Sequence, residues 1–269
     1  MKPDRGVCGP LSHPVKLAHR NLAHSLAVQI TMRIALLPNP IESSNQEKPK
    51  MSDYTSRFQE LRENALVKSK QLSLSARGFV LAIWALRFFP VYRQSCADEE
   101  THRETELYFI LGQILDAYVD CKAVSENDIR KWRESIGNLA SHGEHHQIAP
   151  HVCILIDISA DILQQINCPP YASKFGLEYV CGDLVGLIVE FVASHGIGIL
   201  DPGNMSRDLT EYFYKFVVSS ADFQSEFKLL IGMMDSACVV LSNDDQREVF
   251  LRIRNNIETI PWPYQFQVQ

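Results

Sequence analysis

Apolar residues recur at every third or fourth position from residue 51 almost to the end of the 269-residue chain. This spacing places them on one face of an α-helix, whereas a half-buried strand needs strict alternation. No alternating run of four to eight residues bounded by turn residues occurs in the same stretch. The sequence therefore predicts an all-α fold.

The most apolar part of this pattern lies at residues 79–93, which read FVLAIWALRFFPVYR. Its residues are apolar almost all round the helix, which predicts a central helix that Pro90 ends or kinks. Arg87 interrupts the run, and a lone buried charge is very costly. We therefore predict a structural ion pair at Arg87, for which the candidate partners are Asp116, Asp120, Asp157 and Asp161.

Helix start and stop signals divide the rest of the chain. Ser125 followed by Asp128 resembles a capping box, Pro150 suits a first turn, and Ser242 can cap a last helix. The pattern predicts eight or nine helices, which form either a multi-helix bundle or a short α-solenoid. Because no repeat period is visible, we favour one compact bundle.

The charge is divided unevenly along the chain. Residues 1–50 carry seven Lys/Arg and three Asp/Glu, whereas residues 51–269 carry 19 and 29, a net charge of −10. Direct nucleic-acid binding needs a basic footprint, so the sequence argues against it. An acidic surface instead suits a basic protein partner. No segment after residue 51 is predicted to span a membrane, because residues 79–92 are too few and residues 177–200 contain three acidic residues.

Residues 1–50 contain six prolines and no sustained periodicity. A secretory signal is not supported, because the apolar stretch is interrupted and no small-residue cleavage site follows. A transit peptide remains open, since residues 5–41 carry basic but no acidic residues. We favour a disordered or wrongly assigned extension ahead of a natural start at Met51, which leaves residues 51–269 as the helical domain.

Two acid pairs are spaced four residues apart: Asp116 with Asp120, and Asp157 with Asp161. Like charges at this spacing mildly destabilise a helix, so their repetition needs a reason. Either they form an acidic face that binds a partner, or they are exposed stripes opposite the apolar residues. These four aspartates are the predicted partner-binding residues.

The densest group of possible metal ligands is His142, Glu144, His145 and His146. It would suit a metal-dependent helical hydrolase, but its spacing is not the His-Glu-x-x-His pattern of zinc peptidases. Gly143 also indicates a helix end, so we expect a solvated loop without a metal or cofactor. The seven scattered cysteines include no C-x-x-C pair and favour reduced thiols in a cytoplasmic protein.

One segment resembles a known family. Ala85, Leu86, Arg87 and Pro90, followed by a Glu-rich helix, are similar to the first core helix of certain all-α bacterial immunity proteins, with likeness extending over about residues 52–265. The elements Asp208-Leu209 and Pro261-Trp262-Pro263 are also similar, whereas the extension before Met51 and the longer C-terminal helices depart from the pattern.

The resemblance implies a non-catalytic protein that binds a bacterial toxin domain and blocks it stoichiometrically. This agrees with the acidic helical domain and the lack of a recognisable catalytic motif. Two alternatives stay open: a metal-dependent hydrolase that uses the cluster at residues 142–146, and a helical adaptor or scaffold.

Overall fold

A computed structural model describes residues 53–95, 101–140, 149–168, 183–189, 191–192, 214–239 and 242–260. These residues form helices and no strands, so the predicted all-α fold is confirmed. The longer helices are α1 (Asp53–Gln71), α2 (Leu74–Ser95), α3 (Thr101–Val119), α4 (Glu126–Ala140), α5 (Ala149–Asn167), α6 (Ala221–Cys238) and α7 (Asn243–Thr259). Residues 183–189, 191–192 and 214–219 are also helical.

Serine side chains cap the N-termini of several of these helices, as the sequence predicts. Ser125 accepts from the backbone N–H of Asp128 at 3.1 Å, and Ser242 accepts from that of Asp245 at 3.2 Å. Each serine hydroxyl also donates to the aspartate carboxylate, which holds the cap together. These bonds satisfy backbone donors that the first helical turn leaves without a partner.

The sequence predicted that Pro90 ends or kinks α2, and an end there is wrong, because the helix continues to Ser95. Proline costs the helix the hydrogen bond to the carbonyl of Leu86. Val91 and Tyr92, which follow it, are nonetheless buried. Burial of their side chains therefore sustains the helix beyond a residue that local preference would place at its end.

Helix α2 lies at the centre of the described bundle, as its composition predicts. It packs most extensively on α5 and also contacts α3, α6 and α7, while α4 packs on α5 and α1 on α6. The sequence predicted that residues 79–92 are too few to span a membrane. The apolar helical stretch is longer than that, Leu74–Arg93, and is long and apolar enough to cross one. However, 72% of its 18-residue apolar window is buried inside the bundle, as expected for a central core helix.

A polar junction joins α2, α3 and α5. The Tyr118 hydroxyl donates to the carbonyl of Ser159 at 2.7 Å, and the Ser159 hydroxyl donates to the carbonyl of Gly78 at 2.7 Å. Burial raises the pKa of Tyr118, so its hydroxyl stays protonated and able to donate. The absence of a side chain at Gly78 leaves the space that the Tyr118 ring occupies.

Several sequence-based predictions lie outside the described residues. They include the nature of residues 1–50 and the elements Asp208-Leu209 and Pro261-Trp262-Pro263 of the family resemblance. The chain divides into the units Met1–Pro49 and Lys50–Gln269, and every described residue belongs to the second.

Replacing Gly78 with alanine should destabilise the fold strongly. The added Cβ would overlap the Tyr118 hydroxyl and lie 2.9 Å from the Cγ2 atom of Ile162, and both neighbours are buried. We expect a loss of about 1–3 kcal/mol or more in the free energy of unfolding, measured by urea denaturation.

Gly232→Ala is the matched control, because no atom lies within 4 Å of a Cβ at this helical glycine. Alanine should stabilise the helix there by about 0.5–1 kcal/mol. If both substitutions stabilise the protein, the close approach at Gly78 is not a packing constraint.

Candidate functional site

Arg87 forms the predicted buried ion pair, but its partner is Glu226 of α6. Its Nη2 lies 2.6 Å from Oε1 of Glu226 and its Nε lies 3.3 Å from Oε2. The guanidinium also donates to the carbonyl of Ile260 at 3.1 Å. The Arg87 and Glu226 side chains are 4% and 5% exposed.

The prediction that one of the four aspartates pairs with Arg87 is therefore wrong. Asp116 and Asp120 pair with arginines of α7, and Asp157 and Asp161 pair with Arg133 of α4. The cause is tertiary: α6 packs on α2, and it brings in a carboxylate 139 residues away along the chain.

Asp157 and Asp161 do not form an exposed stripe, contrary to that interpretation of the sequence. Arg133 lies 2.9 Å from Oδ1 of Asp157 through Nε and 2.8 Å from Oδ1 of Asp161 through Nη1. The Asp161 side chain is only 1% exposed. One arginine thus serves both carboxylates and holds α4 against α5, and Asp161 presents almost no surface to a partner.

Asp116 and Asp120 behave differently, because their side chains are 64% and 51% exposed. Asp116 lies 2.6 Å from Nη1 of Arg254, and Asp120 lies 3.4 Å from Nε of Arg247. Both arginines belong to α7, which packs beside α3. Of the two acid pairs, this one is accessible to a partner.

These ion pairs join two helical stripes into one outer surface. We name it the α3–α7 face and define it by Phe109, Asp116 and Asp120 on or just after α3, and Arg247, Leu251 and Arg254 on α7. Phe109 and Leu251 are exposed apolar residues, and Phe109 is 63% exposed. Residue 109 lies outside the inward set Leu107, Ile110, Leu111 and Ile114, so the helical period could have identified it as outward-facing.

The two ion pairs of this face balance in charge, but the two helices that form it are negative as a whole. Residues 101–120 and 243–259 together carry eight acidic residues and four arginines, a net charge of −4.

Burial, with the negative charges of Asp120 and Asp244, raises the pKa of the Cys121 thiol at the end of α3. Burial lowers the pKa of Arg254, but the hydrogen bonds to Asp116 and Glu258 and the negative charges of these two residues outweigh burial and raise that pKa overall. Arg254 therefore stays charged and holds α7 to α3.

The alternative site at His142, Glu144, His145 and His146 lies outside the described residues. Within the described part of the chain, no group of three or more His, Cys, Asp or Glu side chains is placed to hold a metal ion. The hydrolase alternative stays an untested hypothesis.

Comparisons of the chain with protein-family models, with curated proteins and with solved structures found no match. The α3–α7 face and the buried ion pairs are therefore the observations on which a functional proposal rests.

Removing one partner of the Arg87–Glu226 pair should be more damaging than removing both. Because Glu226 cannot reach water, Arg87→Met leaves a buried carboxylate without its charge partner and should cost about 3–5 kcal/mol of folding stability. Glu226→Leu should cost a similar amount. In Arg87→Met/Glu226→Leu most of this loss should be recovered, since buried ion pairs are often replaced by apolar residues at little cost.

A double-mutant cycle by denaturant unfolding measures this coupling, and the exposed Arg57–Glu60 pair supplies its control. We expect a coupling below about 1 kcal/mol for the control, because solvent screens exposed charges. Simple additivity at Arg87 and Glu226 would contradict the inference that each charge depends on the other.

Proposed function

We propose that residues 51–269 form a non-catalytic immunity protein that binds and neutralises a basic bacterial toxin domain in the cytoplasm. The observation that carries the proposal is the different exposure of the two acid pairs. The pair on α5 is used within the fold, whereas Asp116 and Asp120 lie on an exposed face that also carries large apolar side chains. We infer that this face is where the partner binds.

The charge distribution supports this assignment. The helical domain carries a net charge of −10, and part of this excess lies on the two helices that form the face. A negative surface increases the rate at which a basic protein reaches it, and the effect falls as ionic strength rises. Long-range attraction would thus bring the toxin domain to the face.

The hydrogen bonds that join α3 to α7 also suit stoichiometric inhibition. Arg254 donates to Asp116 at 2.6 Å and to Glu258 at 3.1 Å, so it joins α3 to α7. A face held in this way loses little conformational freedom when a partner binds, which favours a long-lived complex. Neutralisation then requires only that the bound protein cover the active site of the toxin.

The resemblance of residues 79–93 to the core helix of immunity proteins supports the same function. A helical adaptor would also bind a protein through an exposed face, but it would not protect a cell from a toxin. Protection is therefore the measurement that separates these two functions.

The proposal is tested with the polypeptide encoded immediately upstream of this chain. Co-expression of residues 51–269 should protect cells from that polypeptide, and the purified proteins should form a 1:1 complex. Failure of the wild-type chain both to protect and to bind would overturn the proposed function.

Neutralising the acid pair should slow association. We expect Asp116→Asn/Asp120→Asn to reduce the association rate constant about 3- to 10-fold at low salt and to weaken its dependence on ionic strength. Folding stability should fall by no more than about 1 kcal/mol per pair, because both ion pairs are exposed. Stopped-flow mixing at several salt concentrations measures the rates.

Glu63→Gln/Glu134→Gln is the matched control, since it removes two exposed charges from α1 and α4. Its association rate should stay within about twofold of the wild type. Equal slowing by both double variants would show that net charge, and not the α3–α7 face, steers the partner.

A further inference from the structure

Phe109 is the most exposed large apolar side chain among the described residues. It lies on the outer side of α3, two helical turns before Asp116, so both residues project from the same side of the helix. Leu251 lies between Arg247 and Arg254 on the neighbouring stripe of α7 and is also exposed. The α3–α7 face thus combines apolar side chains with charged ones.

A single exposed apolar residue is ordinary on a protein surface, so exposure alone does not mark a binding site. Tyr108 illustrates this: although it is exposed, its ring packs edge-on against Phe89, with ring centroids 5.1 Å apart. Phe109 differs because Asp116, which pairs with Arg254 of α7, projects from the same side of α3. Protein interfaces likewise combine apolar and charged side chains.

Space beside Phe109 allows close approach. Gly112 lies one helical turn after it, and a Cβ placed on Gly112 would meet no atom within 4 Å. The backbone of α3 is therefore accessible beside the Phe109 ring. A partner surface could contact the ring and the helix backbone together.

We propose that Phe109 is the apolar anchor of the complex and inserts into an apolar pocket of the toxin domain that is rimmed by Lys or Arg side chains. This inference rests on the proposed function and names the contact that would make the complex long-lived. The basic rim follows from charge complementarity with the net charge of −4 on α3 and α7. The anchor sets the dissociation rate, and the surrounding charges set the association rate.

The anchor is tested by Phe109→Ser, with the toxin domain encoded immediately upstream as the probe. Because the residue is exposed, the variant should fold like the wild type, as thermal melting would show. We expect dissociation to accelerate at least about tenfold, equivalent to about 1.4 kcal/mol, while the association rate changes by less than about twofold.

Two further variants sharpen the test. Phe216→Ser removes another exposed phenylalanine from the separate helical segment 214–219 and should leave dissociation within about twofold of the wild type. Gly112→Gln adds bulk beside Phe109 without loss of a core contact, and it should also accelerate dissociation at least about fivefold.

The outcomes separate the two proposals. If the wild-type chain binds the toxin domain but Phe109→Ser dissociates at the wild-type rate, the anchor is wrong and the proposed function stands. Equal effects of Phe109→Ser and Phe216→Ser would also overturn the anchor, because the loss would then not be specific to the α3–α7 face. If the wild-type chain does not bind, the proposed function fails and the anchor with it.

Discussion

The burial of α2 on every side is the constraint from which the other contacts follow. A helix that is apolar almost all round gains stability only if neighbours cover each of its faces, and α3, α5, α6 and α7 all contact it. Arg87 is the one charged residue on the buried part of this helix, and its side chain cannot reach solvent. Glu226 of α6 forms an ion pair with it, and the carbonyl of Ile260 at the end of α7 accepts a hydrogen bond from it. The need to cover α2 and to give Arg87 a charge partner thus determines where α6 and α7 pack.

Close approach of the helices depends on matched small and large residues. Gly78 allows the Tyr118 side chain to lie against α2, and the buried hydroxyls of Tyr118 and Ser159 each donate to a carbonyl of another helix. A hydrogen bond between buried groups adds little net stability, but leaving such a group unpaired is costly. The junction therefore favours one arrangement of α2, α3 and α5 over others with similar apolar burial.

The two acid pairs show how the same local pattern acquires different roles. On α5 a single arginine from α4 serves both carboxylates, and Asp161 becomes buried. On α3 each carboxylate has its own arginine from α7 and remains largely exposed. The first arrangement stabilises the packing of two helices, whereas the second also presents charge to the surroundings. This is why the proposed binding face lies on α3 and α7 and not on α5.

The sequence by itself determined the helical class, the central position of α2, the serine caps at Ser125 and Ser242, and the need for a charge partner at Arg87. Each of these depends on interactions within about one helical turn or on the period of apolar residues, both of which are local properties. Only the tertiary structure decided that Glu226 is that partner, that α2 continues past Pro90, and that Asp116 is exposed while Asp161 is buried. These outcomes depend on which helices become neighbours and how much apolar surface their contact buries. Residues separated by 139 positions, such as Arg87 and Glu226, leave no local signal of their contact.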